Sequence, residues 1–334
     1  MKRIIILFVL IYFTLGLHAQ TGYGIVDFSA NYMRENPDYT AELGNQCLMG
    51  TVVEILDRQG YWLKIKSPEP YVGWVNEMGV ALVTKDEAES YLESPKYICT
   101  AFNSKIFSKP KEGSEAVSDL VMGDILRTWF DKKNNHVRKG KFLGVLTPSG
   151  KTGYVRRKDL EAFDLWAAKS EATAGNIIRT AKMFLGTPYL WGGASSKGVD
   201  CSGLTRISWF MNGVLIPRDA GPQSRSGTEV NIFNKDRGLD LSALAPGDLL
   251  FFGKTTEDGK PARIDHVGIY IGEGRFIHSS QVVRISSLRA GDDDYYYKVP
   301  ILARRYIGKD ADDGLVGIEG SPFYFPQREL IIKK

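Results

Sequence analysis

The hydrophobic positions change rhythm twice along the chain, and the changes divide it. Lys2 and Arg3 precede an apolar run from Ile4 to Leu17, broken only by Thr14 and Gly16, and a small residue, Ala19, stands before Gln20. A run of 14 residues is too short to span a bilayer, so residues 1–19 are expected to be a cleaved secretory signal. From about residue 22 to 163 the apolar positions come in short, β-branched and aromatic runs. Leu48–Leu56 and Tyr61–Ile65 are predicted strands joined at Gly60, and Tyr71–Val75 is a third. A weaker copy follows, with Ala116–Trp129 leading to Lys141–Leu146 and then Gly153-Tyr154-Val155. Gly73-Trp74-Val75 and Gly153-Tyr154-Val155 stand 80 residues apart, which predicts two small β-barrels in tandem, over 20–83 and 95–165. The linker 84–94 contains Thr84–Tyr91, a helix-prone stretch.

After Ser170 the spacing becomes helical. Ile177, Ile178, Ala181, Phe184 and Leu185 mark one face of a helix over Ala172–Leu185, ending at Gly186. A Gly-rich loop leads to a second apolar stretch, Cys201–Met211. Leu249–Phe252 is a predicted strand behind the turn Pro246-Gly247-Asp248, and Val267–Ile271 and Arg275–His278 form a hairpin about Gly272-Glu273-Gly274. Helices followed by an antiparallel sheet give an α+β unit over 170–307. Residues 308–334 show no periodicity and are expected to wrap the surface or to be partly mobile.

Composition narrows the function. With 334 residues, 43% hydrophobic and 25% charged, the chain is an ordinary globular protein of two or three domains. Its formal net charge is +4, falling to +2 without Lys2 and Arg3, and no basic run reaches five residues, which argues against a nucleic-acid partner. No later stretch is apolar and long enough for stable membrane insertion. The three cysteines, Cys47, Cys99 and Cys201, are too few for a disulfide scaffold and lack zinc-ligand spacing. Their odd number leaves at least one thiol free. Cys47 and Cys99 read as packing residues of the β region.

Cys201 stands between Gly198-Val199-Asp200 and Ser202-Gly203, at the start of a predicted helix. Unpaired N–H groups and the helix dipole there are expected to lower the thiol pKa and favour the nucleophilic thiolate. Of the four histidines, His18 falls in the signal and His136 in a polar loop, whereas His266 and His278 share the domain of Cys201. The hairpin turn would bring both imidazoles to one end, one as base to the thiol and the other orienting it. No third histidine or paired carboxylate has metal-ligand spacing, so neither a metal nor another cofactor is expected.

Thr187-Pro188-Tyr189-Leu190-Trp191-Gly192-Gly193 followed by Asp200-Cys201-Ser202-Gly203-Leu204 resembles the NlpC/P60 family of cell-wall cysteine peptidases. So do Pro217-Arg218-Asp219-Ala220 with Gln223, the stretch Pro246–Phe252, and Asp265-His266-Val267-Gly268-Ile269-Tyr270-Ile271. The paired β units resemble bacterial SH3 (SH3b) domains. The resemblance implies a papain-like catalytic domain behind two SH3-like barrels, and the activity of a γ-D-glutamyl-L-diamino acid endopeptidase of the dipeptidyl-peptidase VI type. By position it implies Cys201 as nucleophile, His266 as base, His278 as the orienting residue and Tyr189 as an oxyanion donor. It implies Asp200 and Ser202 as binders of the free amino end of L-Ala-γ-D-Glu peptides. From the first barrel, Glu42 and Tyr71 are candidates for the same site, and Trp191 is a further substrate-binding candidate. Arg218 and Asp219 are expected to form a structural ion pair.

The residues alone give thioester chemistry on an amide. The substrate enters through the resemblance and through export, which places the protein in the periplasm among peptidoglycan peptides. An amidase or acyltransferase on the same core is an alternative, and so is a non-catalytic cell-wall binding protein, against which the intact Cys201, His266 and His278 argue.

Overall fold

The computed structural model describes residues 22–236, 238–308 and 314–326; the expected signal lies outside them. The first β unit has seven strands, β1 (Gly22–Val26), β2 (Ala30–Arg34), β3 (Leu43–Leu48), β4 (Val52–Gln59), β5 (Trp62–Lys66), β6 (Val72–Asn76) and β7 (Val80–Val83). They form one antiparallel sheet in the order β3-β2-β6-β5-β4-β1-β7. Val26, Met33, Cys47, Val53, Leu63, Ile65 and Val75 fill its core. The second unit has β8 (Lys96–Cys99), β9 (Asn103–Phe107), β10 (Ala116–Val121), β11 (Ile125–Thr128), the two-residue β12 (Arg138–Lys139), β13 (Phe142–Leu146), β14 (Thr152–Arg156) and β15 (Leu160–Ala162). Its order, β10-β9-β14-β13-β11-β8-β15, repeats the first strand for strand, with β12 added beside β13. Each Gly-aromatic-Val triplet lies in the corresponding strand, β6 or β14, and a 3₁₀ turn follows both, at Glu77–Gly79 and Arg157–Asp159.

Leu48–Leu56 is not one strand as expected. The turn Met49-Gly50-Thr51 divides it, because this segment docks on the second barrel: Met49 N–H donates to Asp124 Oδ1 (3.0 Å) and Met49 C=O accepts from Ile125 N–H (2.9 Å). The linker helix α1 (Lys85–Glu93) starts at a reciprocal cap between Thr84 and Glu87. A helix not foreseen, α2 (Phe163–Lys169), follows β15 directly and buries Phe163, Trp166 and Ala167.

The third unit holds α3 (Ala174–Lys182), the short pair β16 (Ala194–Ser195) and β17 (Gly198–Val199), α4 (Cys201–Phe210), β18 (Val214–Leu215) and α5 (Ala220–Gln223). Its sheet is built from β19 (Thr228–Val230), β20 (Leu249–Thr255), β21 (Pro261–Gly272), β22 (Arg275–Ser280), β23 (Val282–Ser287) and β24 (Leu302–Arg305). The order is β19-β24-β20-β21-β22-β23, antiparallel throughout. This is the α+β arrangement expected, with α4 packed across β21 and β22.

The main core runs from both barrels into the third unit: Leu48 of the first and Ile98 and Val121 of the second share it with Ile177, Leu204, Ile207, Phe251 and Ile277. The C-terminal stretch departs from expectation. Residues 316–317 form β25, pairing with β18, and Leu315, Ile318 and Tyr324 are buried in that same core. Tyr324 packs on Phe163 and Phe210, and Phe325 stacks on Phe163. Leu315, Ile318, Tyr324 and Phe325, spread irregularly, do this without any helical or strand period, which is why the sequence pattern hides it.

Candidate active site

Asp200 is the N-cap of α4, and its carboxylate accepts from Gly203 N–H at 2.6 Å, so the chain turns into the helix at Cys201. Two glycines let this helix start seat against the preceding loop. A Cβ on Gly203 would stand 1.9 Å from the Gly193 carbonyl oxygen, and Gly192 has φ +73° with its Cα pressed on the Leu43 carbonyl of β3. The backbone N–H groups of Val267 and Ser202 hydrogen-bond the Cys201 sulfur. The sulfur therefore lies beside the residue that follows His266.

His266 sits within β21 rather than at its start, because the strand begins earlier, at Pro261. Its Nε2 lies 2.8 Å from His278 Nδ1 on β22, as the hairpin predicted. Both imidazoles are buried, packed with Phe252, Phe276 and Tyr296. Burial pushes His266 down to about 4, helped by Lys298 and Arg284, and pushes His278 down to about 2. Both are neutral bases at pH 7.

The thiol differs from the sequence expectation. Cys201 is pushed up to about 12 by burial first and by the neighbouring Asp200 carboxylate second, which together outweigh the N–H groups at the helix start. At rest the site holds a neutral thiol beside a neutral imidazole. Tyr189, half-buried, has its phenol pushed up by burial and then by Cys201, which puts its hydroxyl within the field of the sulfur. Trp191 projects from the same loop with 60% of its surface exposed.

Arg218 pairs with Asp219, as expected, and more closely with Asp200. Its NH2 donates to Asp200 Oδ2 (2.7 Å) and its NH1 to Asp200 Oδ1 (3.2 Å) and Ser202 Oγ (3.0 Å), whereas Asp219 Oδ1 is 4.0 Å away. Asp200 also accepts from Gly192 N–H (3.0 Å) and from Ser202 Oγ–H (3.2 Å). Its oxygens are thus occupied by the protein. The geometry brings forward Asp219, whose side chain is 53% exposed. Its charge acts on Tyr71 more strongly than any other, ahead of Arg218, Glu35 and Glu42. Tyr71, half-buried over Gly44, thus stands among three carboxylates from two domains. Asp219 and Glu35 were not singled out from the sequence as substrate binders; only the fold brings Asp219 to the first barrel.

The first barrel is bolted to this site. Asn45 Oδ1 accepts from Arg218 Nε (2.9 Å), and Gln46 Oε1 accepts from Ala194 N–H (2.8 Å). Glu69 pairs with Arg206 of α4, both almost wholly buried. His136, on the second barrel, packs edge-on against Phe130. All three cysteines are free and buried, with Cys47 against Met33 and Cys99 in the second core.

With this geometry in view, comparison with known proteins is informative. The NlpC/P60 family pattern matches residues 186–305, and that of a bacterial SH3 domain matches 29–81. The chain is 30% identical over 274 residues to the Bacillus cereus gamma-D-glutamyl-L-lysine dipeptidyl-peptidase, covering 80% of this chain and 76% of that one. To the Bacillus subtilis protein of the same name it is 31% identical, covering 78% and 80%. A crystal structure of an NlpC/P60 family protein from Bacillus cereus superposes with a TM-score of 0.67 at 26% identity, over 85% of this chain and 99% of that one.

Proposed function

Because the chain belongs to the NlpC/P60 family of cysteine peptidases, we propose that it hydrolyses the γ-D-glutamyl–diamino acid bond of peptidoglycan-derived peptides from their free L-Ala end. The observation that carries the chemistry is the buried Cys201 beside a His266–His278 pair 2.8 Å apart. Cys201 attacks the amide carbonyl while His266 takes its proton; the developing oxyanion is held by the Cys201 N–H and the Tyr189 hydroxyl. The imidazolium protonates the leaving amine, and water, activated by the same His266, releases the dipeptide from the thioester.

The free-amine preference rests on Tyr71, Glu35, Glu42 and Asp219. An ammonium entering between three carboxylates, beside a phenolic oxygen, gains charge-assisted hydrogen bonds in a half-buried recess. Asp200 and Ser202 act one step back: they hold Arg218, which lies between Asp200 and Asp219 and keeps the two carboxylates apart. Trp191 supplies an exposed aromatic wall for the peptide. In this reading residues 1–19 direct export, and the protein works in the periplasm on released wall peptides, in turnover or recycling. Among the described residues no helix is long and apolar enough to cross a membrane.

The reading is tested by incubating the purified protein with L-Ala-γ-D-Glu-diaminopimelate. Release of L-Ala-D-Glu, abolished in Cys201→Ala, is expected; an unchanged peptide, or equal release by Cys201→Ala, would overturn it.

A further inference from the structure

The histidine pair does not end at His278. His278 is fully buried, and its Nε2 lies 3.0 Å from the Oγ of Ser286 on β23, itself buried. Register places Phe276 opposite Ser286 and His278 opposite Arg284, so His278 and Ser286 are diagonal neighbours on one face of the sheet. Gly268 keeps that face open: a Cβ there would stand 2.6 Å from Phe276 and 3.1 Å from His278.

We propose that Ser286 is a positioning residue for the peptidase reaction: by accepting the His278 Nε2–H it gives that buried proton a partner and so supports the tautomer that leaves His266 Nδ1 free to take the Cys201 proton. The proposal rests on the thiol-peptidase reading above. A neutral imidazole carries one N–H and one bare nitrogen, and two arrangements satisfy the contact between the rings. In the first, His266 Nε2–H donates to His278 Nδ1. His266 Nδ1, the one ring nitrogen left for the thiol, is then bare. His278 must carry its proton on Nε2, and Ser286 Oγ receives it. In the second, His278 Nδ1–H donates to His266 Nε2 and the Ser286 hydroxyl turns to donate to the bare His278 Nε2, so His266 holds its own proton on Nδ1 and has no lone pair for the thiol. Both arrangements fill the 2.8 Å contact, and only the first is a base.

The reaction keeps this order throughout. As the S–C bond forms, the carbonyl π pair moves to oxygen and the thiol proton moves to His266 Nδ1. The imidazolium still donates through Nε2 to His278, which still donates to Ser286. The Nδ1 proton then passes to the leaving nitrogen as the C–N bond breaks, and Ser286 neither gains nor loses one. A hydroxyl suits the place because it accepts without adding charge. The charged groups that act on the pair are Lys298 and Arg284, which disfavour its protonation, and Asp200, which favours it; Tyr296 covers both rings.

Three variants test the role. Ser286→Ala leaves a buried N–H without an acceptor and so favours the second arrangement. The expected result is a kcat lower by about 10- to 100-fold with KM within about twofold of wild type. Ser286→Thr should restore most of it. Ser286→Asp should move the acidic limb of the pH profile upward, because a carboxylate stabilises the protonated pair. Nitrogen NMR of His278 should show the proton on Nε2 in wild type and on Nδ1 in Ser286→Ala. Wild-type kcat in a folded Ser286→Ala, or a Ser286→Thr as slow as Ser286→Ala, would overturn the proposal. So would a His278 tautomer that Ser286→Ala leaves unchanged. The tautomer is read without turnover, so a protein that failed to cleave the peptide would sink the peptidase reading and still decide this one.

Discussion

At the residue scale the site is governed by burial. A thiol pushed up to about 12 and a histidine pushed down to about 4 are both neutral through the physiological range. The proton must therefore leave Cys201 as it attacks, rather than beforehand. Alkylation of Cys201 by iodoacetamide should accelerate with each pH unit from 6 to 9 without a plateau; a plateau below pH 7 would reveal a preformed thiolate. A lowered base pKa also sets the sign of the acid limb: His266 is charged only below about 4, so kcat/KM should hold through pH 5–8 and fall as pH approaches 4. Tyr189→Phe removes one oxyanion donor and should lower kcat about 100-fold with little change in KM, as steady-state kinetics would show.

At the element scale, the proposed catalytic residues stand on a helix start and a hairpin, and both elements were legible in the sequence. The apolar stretch from Cys201 to Met211 announces the helix, and Gly272-Glu273-Gly274 between two apolar runs announces the hairpin that joins the imidazoles. The lowered thiol pKa was misjudged because the helix start is a local feature, whereas burial under β21 is a tertiary one. For the same reason the tighter partner of Arg218 was missed: adjacency gives the pair with Asp219, but the side chain also turns back to Asp200, 18 residues away. The break at Met49-Gly50-Thr51 likewise exists only because the second barrel is there. Gly203→Ala tests the seating of α4. Its Cβ would meet the Gly193 carbonyl, so the helix must shift, and both the thermal midpoint and kcat should fall.

At the scale of the whole molecule, the first barrel packs against the candidate active site. Glu69, with a fully buried side chain, meets Arg206 one and a half turns along α4 from Cys201, while Glu69 Oε2 and Arg206 Nε and NH1 have no hydrogen-bond partner among the described residues. Removing one charge strands the other. Glu69→Ala should cost about 3–5 kcal/mol in urea unfolding, and the paired Glu69→Met/Arg206→Met change much less. The C-terminal stretch adds to the clamp, with the Tyr324 hydroxyl 3.5 Å from Thr51 of the first barrel. The tandem barrels were foreseen from two triplets 80 residues apart; their clamping to α4 was not, since Asn45, Gln46 and Glu69 are ordinary polar residues until the fold buries them.

The barrel's place beside Asp219 makes the central claim measurable: the protein is a peptidase that reads the free amino end of its substrate. Mass spectrometry of products from L-Ala-γ-D-Glu-diaminopimelate and its N-acetylated form, side by side, tests this most directly. The account predicts rapid release of L-Ala-D-Glu from the free peptide, a severe loss with the acetylated one, and a narrowing of that gap in Asp219→Asn. Equal cleavage of both peptides by the wild-type protein would contradict it.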